Sequence, residues 1–300
     1  FNADGTMLAW IRYDESKVPL YSFPWYKGMY PEKTQYADYP GTYDYKYPIA
    51  GQPNSIVKVQ TFDIKSRAIR DMQLPLPEDG YIPRIHFTDD PLKLLVFTQN
   101  RHQNQLDIYV ANPRSTECRI IVRDQAERYI TEEPYKNISL HPGGFVLMSE
   151  RSGFNHLYLY DLNGTMKRQL TTGNFVVTDY YGYDAKTGTT YYASNQESPT
   201  RKAVYKSDAK GKVVKLSTKE GTNDAIFSKN MKYFMNVYSN INTPPVTSLC
   251  DNKGKELKVL EDNQALKDKL ASIDLGERRF FTFKTQDGVD LNGYMVLPPN

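Results

Sequence analysis

One recurring turn constrains this chain more than any other feature. Asp161-Leu162-Asn163-Gly164, Asp208-Ala209-Lys210-Gly211 and Asp251-Asn252-Lys253-Gly254 each set an aspartate three residues before a glycine, and the glycines stand 47 and then 43 residues apart. The chemistry is that of a tight hairpin: the carboxylate caps the turn, and glycine takes a positive φ that other residues resist. A short apolar strand follows each glycine, over Met166 to Leu170, Val213 to Leu216 and Leu257 to Leu260. Another β segment precedes each hairpin: Phe145 to Ser149, Thr190 to Ser194 and Tyr233 to Tyr238. Four strands in every roughly 43–47 residues is the pattern of propeller blades. No long 3.6-residue period accompanies it, which excludes a helical solenoid.

Two less regular blades lie upstream. Ile82 to Ile121 carries strand patterns at Leu94 to Thr98, Leu106 to Val110 and Cys118 to Ile121. The first blade holds Met7 to Ile11 and Val57 to Phe62, split by a structureless insertion over residues 27–52 that contains Tyr30, Tyr36, Tyr39, Tyr43, Tyr45 and Tyr47 with Pro31, Pro40 and Pro48. An insertion of that length in a compact repeat reads as a functional segment or an interaction arm. The expected fold is all-β, with residues 1–262 in about five four-stranded blades (about 1–80, 81–130, 135–175, 178–220 and 223–262). Residues 263–300 leave the period: a short helix over Asp262 to Leu275, capped by Asp262 or Asn263, is followed by a hairpin of Arg279 to Lys284 with Leu291 to Val296.

Composition narrows the chemistry. At 39% hydrophobic and 24% charged residues the chain is globular rather than disordered. Its 38 basic and 35 acidic residues give +3, too balanced to imply nucleic acid or an anionic surface. No apolar run reaches the roughly 18–20 residues of a membrane span. Cys118 and Cys250 read as two buried thiols rather than a bridge. His86, His102, His141 and His156 are scattered with no metal-ligand spacing, and His141, ahead of Pro142-Gly143-Gly144 in a turn between blades, reads as a solvated or capping side chain. The Asp-x-x-Gly turns lack the further oxygen ligands of a calcium loop. No G-x-S-x-G, H-E-x-x-H, C-x-x-C or P-loop motif is present, and no metal or cofactor is expected. Glu132-Glu133 could hold an ammonium group, but adjacent carboxylates usually point apart, and we read the pair as a solvated loop between blades.

Five segments, in order, carry a resemblance. Phe1-Asn2-Ala3-Asp4-Gly5-Thr6-Met7-Leu8-Ala9 is similar to the "W-S-x-D-G-x-x-L-A" blade start of the dipeptidyl peptidase IV family. Asp14-Glu15-Ser16-Lys17-Val18-Pro19 is similar to its "D-E-x-x-V-P", and Tyr47-Pro48-Ile49-Ala50-Gly51-Gln52-Pro53-Asn54 to its "Y-P-K-A-G-x-x-N". Leu260-Glu261-Asp262-Asn263-Gln264-Ala265-Leu266 matches its "L-E-D-N-x-A-L", and Tyr294 to Pro299 resembles the first strand of its α/β-hydrolase domain. The variant is similar to those of Bacteroidetes-type bacteria.

The resemblance implies a portion of the N-terminal propeller of a serine exopeptidase that releases dipeptides with Pro or Ala second. The parent would be eight-bladed, periplasmic or bound to the cell envelope, and a homodimer acting on peptides, with no nucleic acid and no membrane span in this chain. Its catalytic triad would follow Asn300 and its amine-binding glutamates would precede Phe1, so the chain reads as cut from something longer and inactive alone. Arg128-Tyr129-Ile130 occupies the place where the family sets an aromatic wall beside the substrate; the family's Phe is here Tyr129, and a following Arg is Ile130. The insertion occupies the place of the family's dimer arm, implying that role for Tyr30, Tyr36, Tyr39, Tyr43, Tyr45 and Tyr47. The repeats by themselves equally fit a stand-alone propeller that binds protein partners; the "L-E-D-N" helix and the terminal strand argue against it.

Overall fold

The computed structural model describes residues 1–26 and 39–299. They form two compact units, Phe1–Thr131 and Glu132–Asn300. In the first, β1 (Met7–Asp14) leads into a ribbon of β2 (Leu20–Trp25) and β3 (Gly41–Lys46), then β4 (Ile56–Asp63) and β5 (Ile69–Asp71). The antiparallel order is β1-β4-β5, with Met7 opposite Asp63 and Asp14 opposite Ile56; β2 and β3 pair only with each other. A second sheet is a four-stranded meander of β6 (Tyr81–Phe87), β7 (Leu94–Gln99), β8 (Gln105–Ala111) and β9 (Cys118–Gln125).

The second unit opens with a one-turn helix, α1 (Glu133–Lys136), and holds three such meanders. These are β10 (Ser139–His141) to β13 (Met166–Gln169) through β11 (Gly144–Ser149) and β12 (His156–Asp161); β14 (Val177–Asp184), β15 (Thr189–Ser194), β16 (Ala203–Ser207) and β17 (Val213–Lys215); and β18 (Thr222–Phe227), β19 (Tyr233–Asn240), β20 (Thr243–Asp251) and β21 (Glu256–Glu261). After them come α2 (Gln264–Ala271) and a hairpin of β22 (Glu277–Lys284) with β23 (Asp290–Leu297).

The recurring turn behaves as its chemistry dictates. Asp161 Oδ1 accepts the N–H groups of Asn163 and Thr165 at 2.9 Å each. Asp208 does the same for Lys210 and Lys212, and Asp251 for Lys253 and Lys255. Gly164, Gly211 and Gly254 follow with φ of 91°, 83° and 88°. Gly254 has a second constraint, because a Cβ there would lie 2.5 Å from the Leu216 carbonyl oxygen of the preceding sheet.

The sheets bury their apolar faces against each other. Val57 and Val59 of β4 pack with Ile82, Leu94, Val96 and Tyr109 of the second sheet. In the second unit Val146, Met148 and Leu157 meet Val177, Tyr192 and Tyr205, while Tyr191 and Val204 meet Ala225, Phe234 and Cys250. Each fully covered large side chain contributes roughly 1.5–3 kcal/mol. Polar ties cross the same seams. Asn155 donates to and accepts from the Val177 backbone at 2.9 Å, and Lys202 reaches Asp179 at 3.1 Å and also Asp224.

Three expectations are amended. The first sheet has three strands among the described residues rather than four. The insertion is not structureless: it includes part of an antiparallel ribbon that starts at Leu20, ahead of residue 27. The terminal helix ends at Ala271, and the Asn263 side chain does not cap it, since Asn263 sits at φ 55° and its amide donates to the Pro245 carbonyl. Asp262 instead accepts from the Gln264 N–H at 2.9 Å.

Candidate functional site

Two features stand out from the covered sheets, and both lie in the first unit. One is the loop after β9. Its ends are fixed on the turn between β7 and β8, where the Ala126 N–H donates to the Asn104 carbonyl at 3.0 Å and the Ile130 N–H to the Gln103 carbonyl at 2.7 Å. That turn is itself rigid: Asn100 Oδ1 accepts the N–H groups of Asn104 and Gln105, and Gln103 takes φ 55°. The pinned loop presents Glu127, Arg128 and Tyr129 to solvent, with Tyr129 64% exposed. Among the described residues the Arg128 and Tyr129 side chains make no hydrogen bond or ion pair. A rigidly mounted aromatic ring beside a free guanidinium offers an apolar wall with polar ends, suited to a short peptide.

The second feature is the ribbon. Its register sets Tyr21 opposite Tyr45, Phe23 opposite Tyr43 and Trp25 opposite Gly41. Strand alternation then gathers Tyr21, Phe23, Trp25, Tyr43 and Tyr45 on one face, with Tyr47 continuing the row. Their rings form a continuous layer. Phe23 stacks on Tyr45 at 5.4 Å and 9°, Tyr21 meets Phe23 at 4.7 Å, Trp25 meets Tyr43 at 5.2 Å, and Tyr45 meets Tyr47 at 5.7 Å. Burial within this layer, then neighbouring Tyr47, Tyr21 and Tyr43, hold the Tyr45 phenol above its ordinary range. Tyr21, Phe23, Tyr43 and Tyr47 nonetheless stay 39–49% exposed. The opposite face carries Leu20, Ser22, Thr42, Asp44 and Lys46. Tyr39 is exposed outside the strands; Tyr30, Tyr36 and Pro31 lie outside the described residues. Sequence reasoning missed Tyr21, Phe23 and Trp25. The available signal was an aromatic at every second position of Tyr21-Ser22-Phe23-Pro24-Trp25, echoed by Tyr43-Asp44-Tyr45-Lys46-Tyr47.

The remaining candidates are structural. Glu132 and Glu133 each bind four residues onward, Glu132 to Lys136 at 2.8 Å and Glu133 to Asn137. His156 is buried: Nε2 lies 2.9 Å from the Gly173 carbonyl, which can only accept, and Nδ1 lies 3.0 Å from the Thr171 hydroxyl. The Gly173 carbonyl therefore accepts a hydrogen bond from Nε2, and the Thr171 hydroxyl meets the other ring nitrogen. Both thiols are free, and burial pushes Cys118 up to about 11. Among the described residues no cluster of His, Cys, Asp and Glu could hold a metal ion, and no helix is long and apolar enough to cross a membrane.

Comparison with known proteins fits the repeat and the motifs. Residues 1–245 match the family model described as dipeptidyl peptidase IV (DPP IV) N-terminal region. The crystal structure of Porphyromonas gingivalis dipeptidyl peptidase 4 superposes over the whole chain with a TM-score of 0.92 at 44% identity, covering 42% of that protein. The probable dipeptidyl peptidase 4 of Arthroderma benhamiae is 30% identical, and dipeptidyl peptidase 4 of Arthroderma otae 29%, each over all of this chain and 40% of its own length. This chain therefore spans about two-fifths of such relatives, and it belongs to the dipeptidyl peptidase IV family, within that family's N-terminal β-propeller region.

Proposed function

We propose that these residues are the propeller portion of a serine exopeptidase that releases N-terminal Xaa-Pro or Xaa-Ala dipeptides. In this reading the propeller gates and lines the substrate cavity, and the hydrolytic groups come from the rest of a longer protein. The observation that carries it is the pinned loop with Tyr129 and Arg128 free at its tip. Tyr129 would wall the pocket, and Arg128 would meet a peptide carbonyl or carboxylate. No serine here sits in a nucleophile elbow, so residues 1–300 alone are expected not to hydrolyse Xaa-Pro substrates. The same reading makes the ribbon an arm that meets its counterpart on a second copy, in a protein of the periplasm or cell envelope. Its support is the open aromatic layer, since Tyr and Trp dominate interface hot spots.

The test is steady-state kinetics on the full-length enzyme with Xaa-Pro chromogenic substrates. Tyr129→Ala is expected to raise KM about tenfold and to change kcat less than about threefold, because it removes a binding wall and leaves the reacting groups in place. Equal kcat/KM for wild type and variant across several substrates would remove Tyr129 from the pocket.

A further inference from the structure

The +3 net charge hides an uneven distribution. In a meander, the turn between the first two strands and the turn between the last two lie at the same end of the sheet. The four such turns of the last two meanders, 185–188, 208–212, 228–232 and 251–255, carry Lys186, Lys210, Lys212, Lys229, Lys232, Lys253 and Lys255. All seven are exposed, and among the described residues none is in an ion pair.

The fold brings these turns together. They converge on one open cleft of about 530 Å³, lined by Thr187, Lys206, Lys212, Lys232 and Asn252, together with Asp184 and Asp208. Lys206 reaches across it and donates to the Asn252 carbonyl at 2.6 Å, and the Asn252 N–H donates to the Lys232 carbonyl at 3.0 Å. The aspartates of these turns are already engaged. Asp208 and Asp251 hold backbone N–H groups of their own turns, and Asp184 holds the Lys186 N–H and the Thr187 hydroxyl at 2.7 Å. Each of these aspartates is thus bonded within its own turn, and seven lysines outnumber the three of them at this end. Burial, with Lys253 adding to it, lowers the Lys206 pKa below the ordinary lysine range, against the pull of Asp251.

We propose that this end of the second unit adsorbs to an anionic phospholipid surface, with the lysines meeting headgroup phosphates and the cleft taking a phosphate at its centre. Three features favour lipid over other polyanions. The charges that project from the turns are lysines, point donors that suit freely oriented phosphates, and the guanidinium beside them, Arg168, is taken up by the Ala209 and Gly188 carbonyls rather than held as a fork to read a duplex. No exposed aromatic row lines the cleft as a stacking platform for single strands. The lysines also lie on turn tips at one end rather than along a groove, which suits a broad surface. Each lysine held near such a surface contributes roughly fivefold in partitioning, and salt screens the effect over about 10 Å at 0.1 M.

The experiment is co-sedimentation of the full-length protein with vesicles of phosphatidylcholine alone or with 30% phosphatidylglycerol, at 20 and 300 mM NaCl. Binding is expected only to the anionic vesicles, and lost at the higher salt. Lys210→Gln, Lys212→Gln, Lys253→Gln and Lys255→Gln combined should weaken partitioning at least about 30-fold. An unchanged thermal midpoint shows that the quadruple variant is folded, and single replacements with graded loss serve if it is not. The proposal is overturned by equal binding to neutral vesicles, by no binding at 20 mM NaCl, or by variants that bind like wild type. It is equally overturned if duplex DNA or heparin competes at lower charge concentration than the vesicles, which would make the face a general polyanion site.

Discussion

Tyrosines in the ribbon and tyrosines in the third meander make nearly the same local contacts and meet opposite fates. Tyr43 and Tyr45 lie 5.6 Å apart between ring centres, and Tyr192 and Tyr205 lie 5.7 Å apart. Tyr43 and Tyr45 are alternate residues of β3, and Tyr192 and Tyr205 face each other across β15 and β16, both in antiparallel sheets. Yet Tyr192 and Tyr205 are 1% and 2% exposed, while Tyr43 is 49% exposed. Strand pairing and ring contact thus organise an aromatic layer without removing it from water. What removes it is a second sheet, which the meander has in β11, β12 and their neighbours and which, among the described residues, the ribbon does not have. An aromatic face that is ordered and uncovered is a surface with little side-chain entropy left to lose on docking.

The largest test of that contrast is truncation on the covered side. Tyr192→Ala is expected to destabilise the second unit by about 3–5 kcal/mol, the usual range for deleting a buried aromatic ring. Tyr43→Ala should change the chain's own stability by less than about 1 kcal/mol, the scale of one cross-strand pair. Urea unfolding followed by far-UV circular dichroism checks both. Equal losses would mean that the ribbon face is covered within the chain and is not a docking surface.

Next in size is the effect on assembly. With Tyr21→Ser, Phe23→Thr, Tyr43→Thr and Tyr45→Thr together, the proposed dimer of the full-length protein should dissociate about 100-fold more readily, since truncating interface aromatics commonly costs more than about 2 kcal/mol. The thermal midpoint of the monomer should barely move. Sedimentation velocity over a concentration series reads the dissociation directly, and an unchanged dimer would assign the arm elsewhere.

Gly254 and Gly288 give a smaller contrast of the same kind. Both hold a positive φ, 88° and 85°. Gly254 faces the Leu216 carbonyl of the neighbouring sheet, whereas nothing lies within 4 Å of the Gly288 Cβ position. Gly288→Ala should cost only the left-handed backbone penalty, about 1 kcal/mol. Gly254→Ala adds a displaced sheet contact and should reach about 2 kcal/mol. Equal costs would show that the seam at Leu216 yields freely.

The covered regions were legible in the sequence because their turns are chemically explicit. An aspartate that must bind two N–H groups and a glycine that must hold a positive φ leave few alternatives at Asp161, Asp208 and Asp251. The ribbon was half legible. Alternating aromatics announce a strand whether or not anything covers it, and residues 20–25 read as part of the first blade because nothing in Leu20 to Trp25 says which sheet the strand joins. The lysine face was illegible for another reason. Net charge is summed along the chain, and Lys206, Lys212 and Lys232 come to line one cleft only through the packing of two meanders. Tyr129 was put forward through family likeness alone; no local pattern distinguishes its loop from others.

The smallest expected effect concerns acid, and it separates two kinds of covered group. His86 lies on β6 with its ring edge toward Phe97 at 6.3 Å, and its Nε2 has no hydrogen-bond partner among the described residues. Burial, then the charge of Arg84, lowers its pKa below the ordinary 6.5. A depressed histidine pKa means that the unfolded chain takes up the proton first. The contribution of neutral His86 is therefore whole above about pH 6.5 and is lost as pH falls through the lower folded value. Asp161 acts in a later window: a hydrogen bond from Lys167, then the Thr165 N–H, lower its pKa from 3.8 to about 2, so its contribution is whole above about pH 4 and goes as pH approaches 2. Urea midpoints measured every half unit from pH 7.5 to 2.5 should show two descents. His86→Gln should flatten the first and leave the second, and Asp161→Asn should do the reverse. A first descent that persists in His86→Gln would assign it to another group.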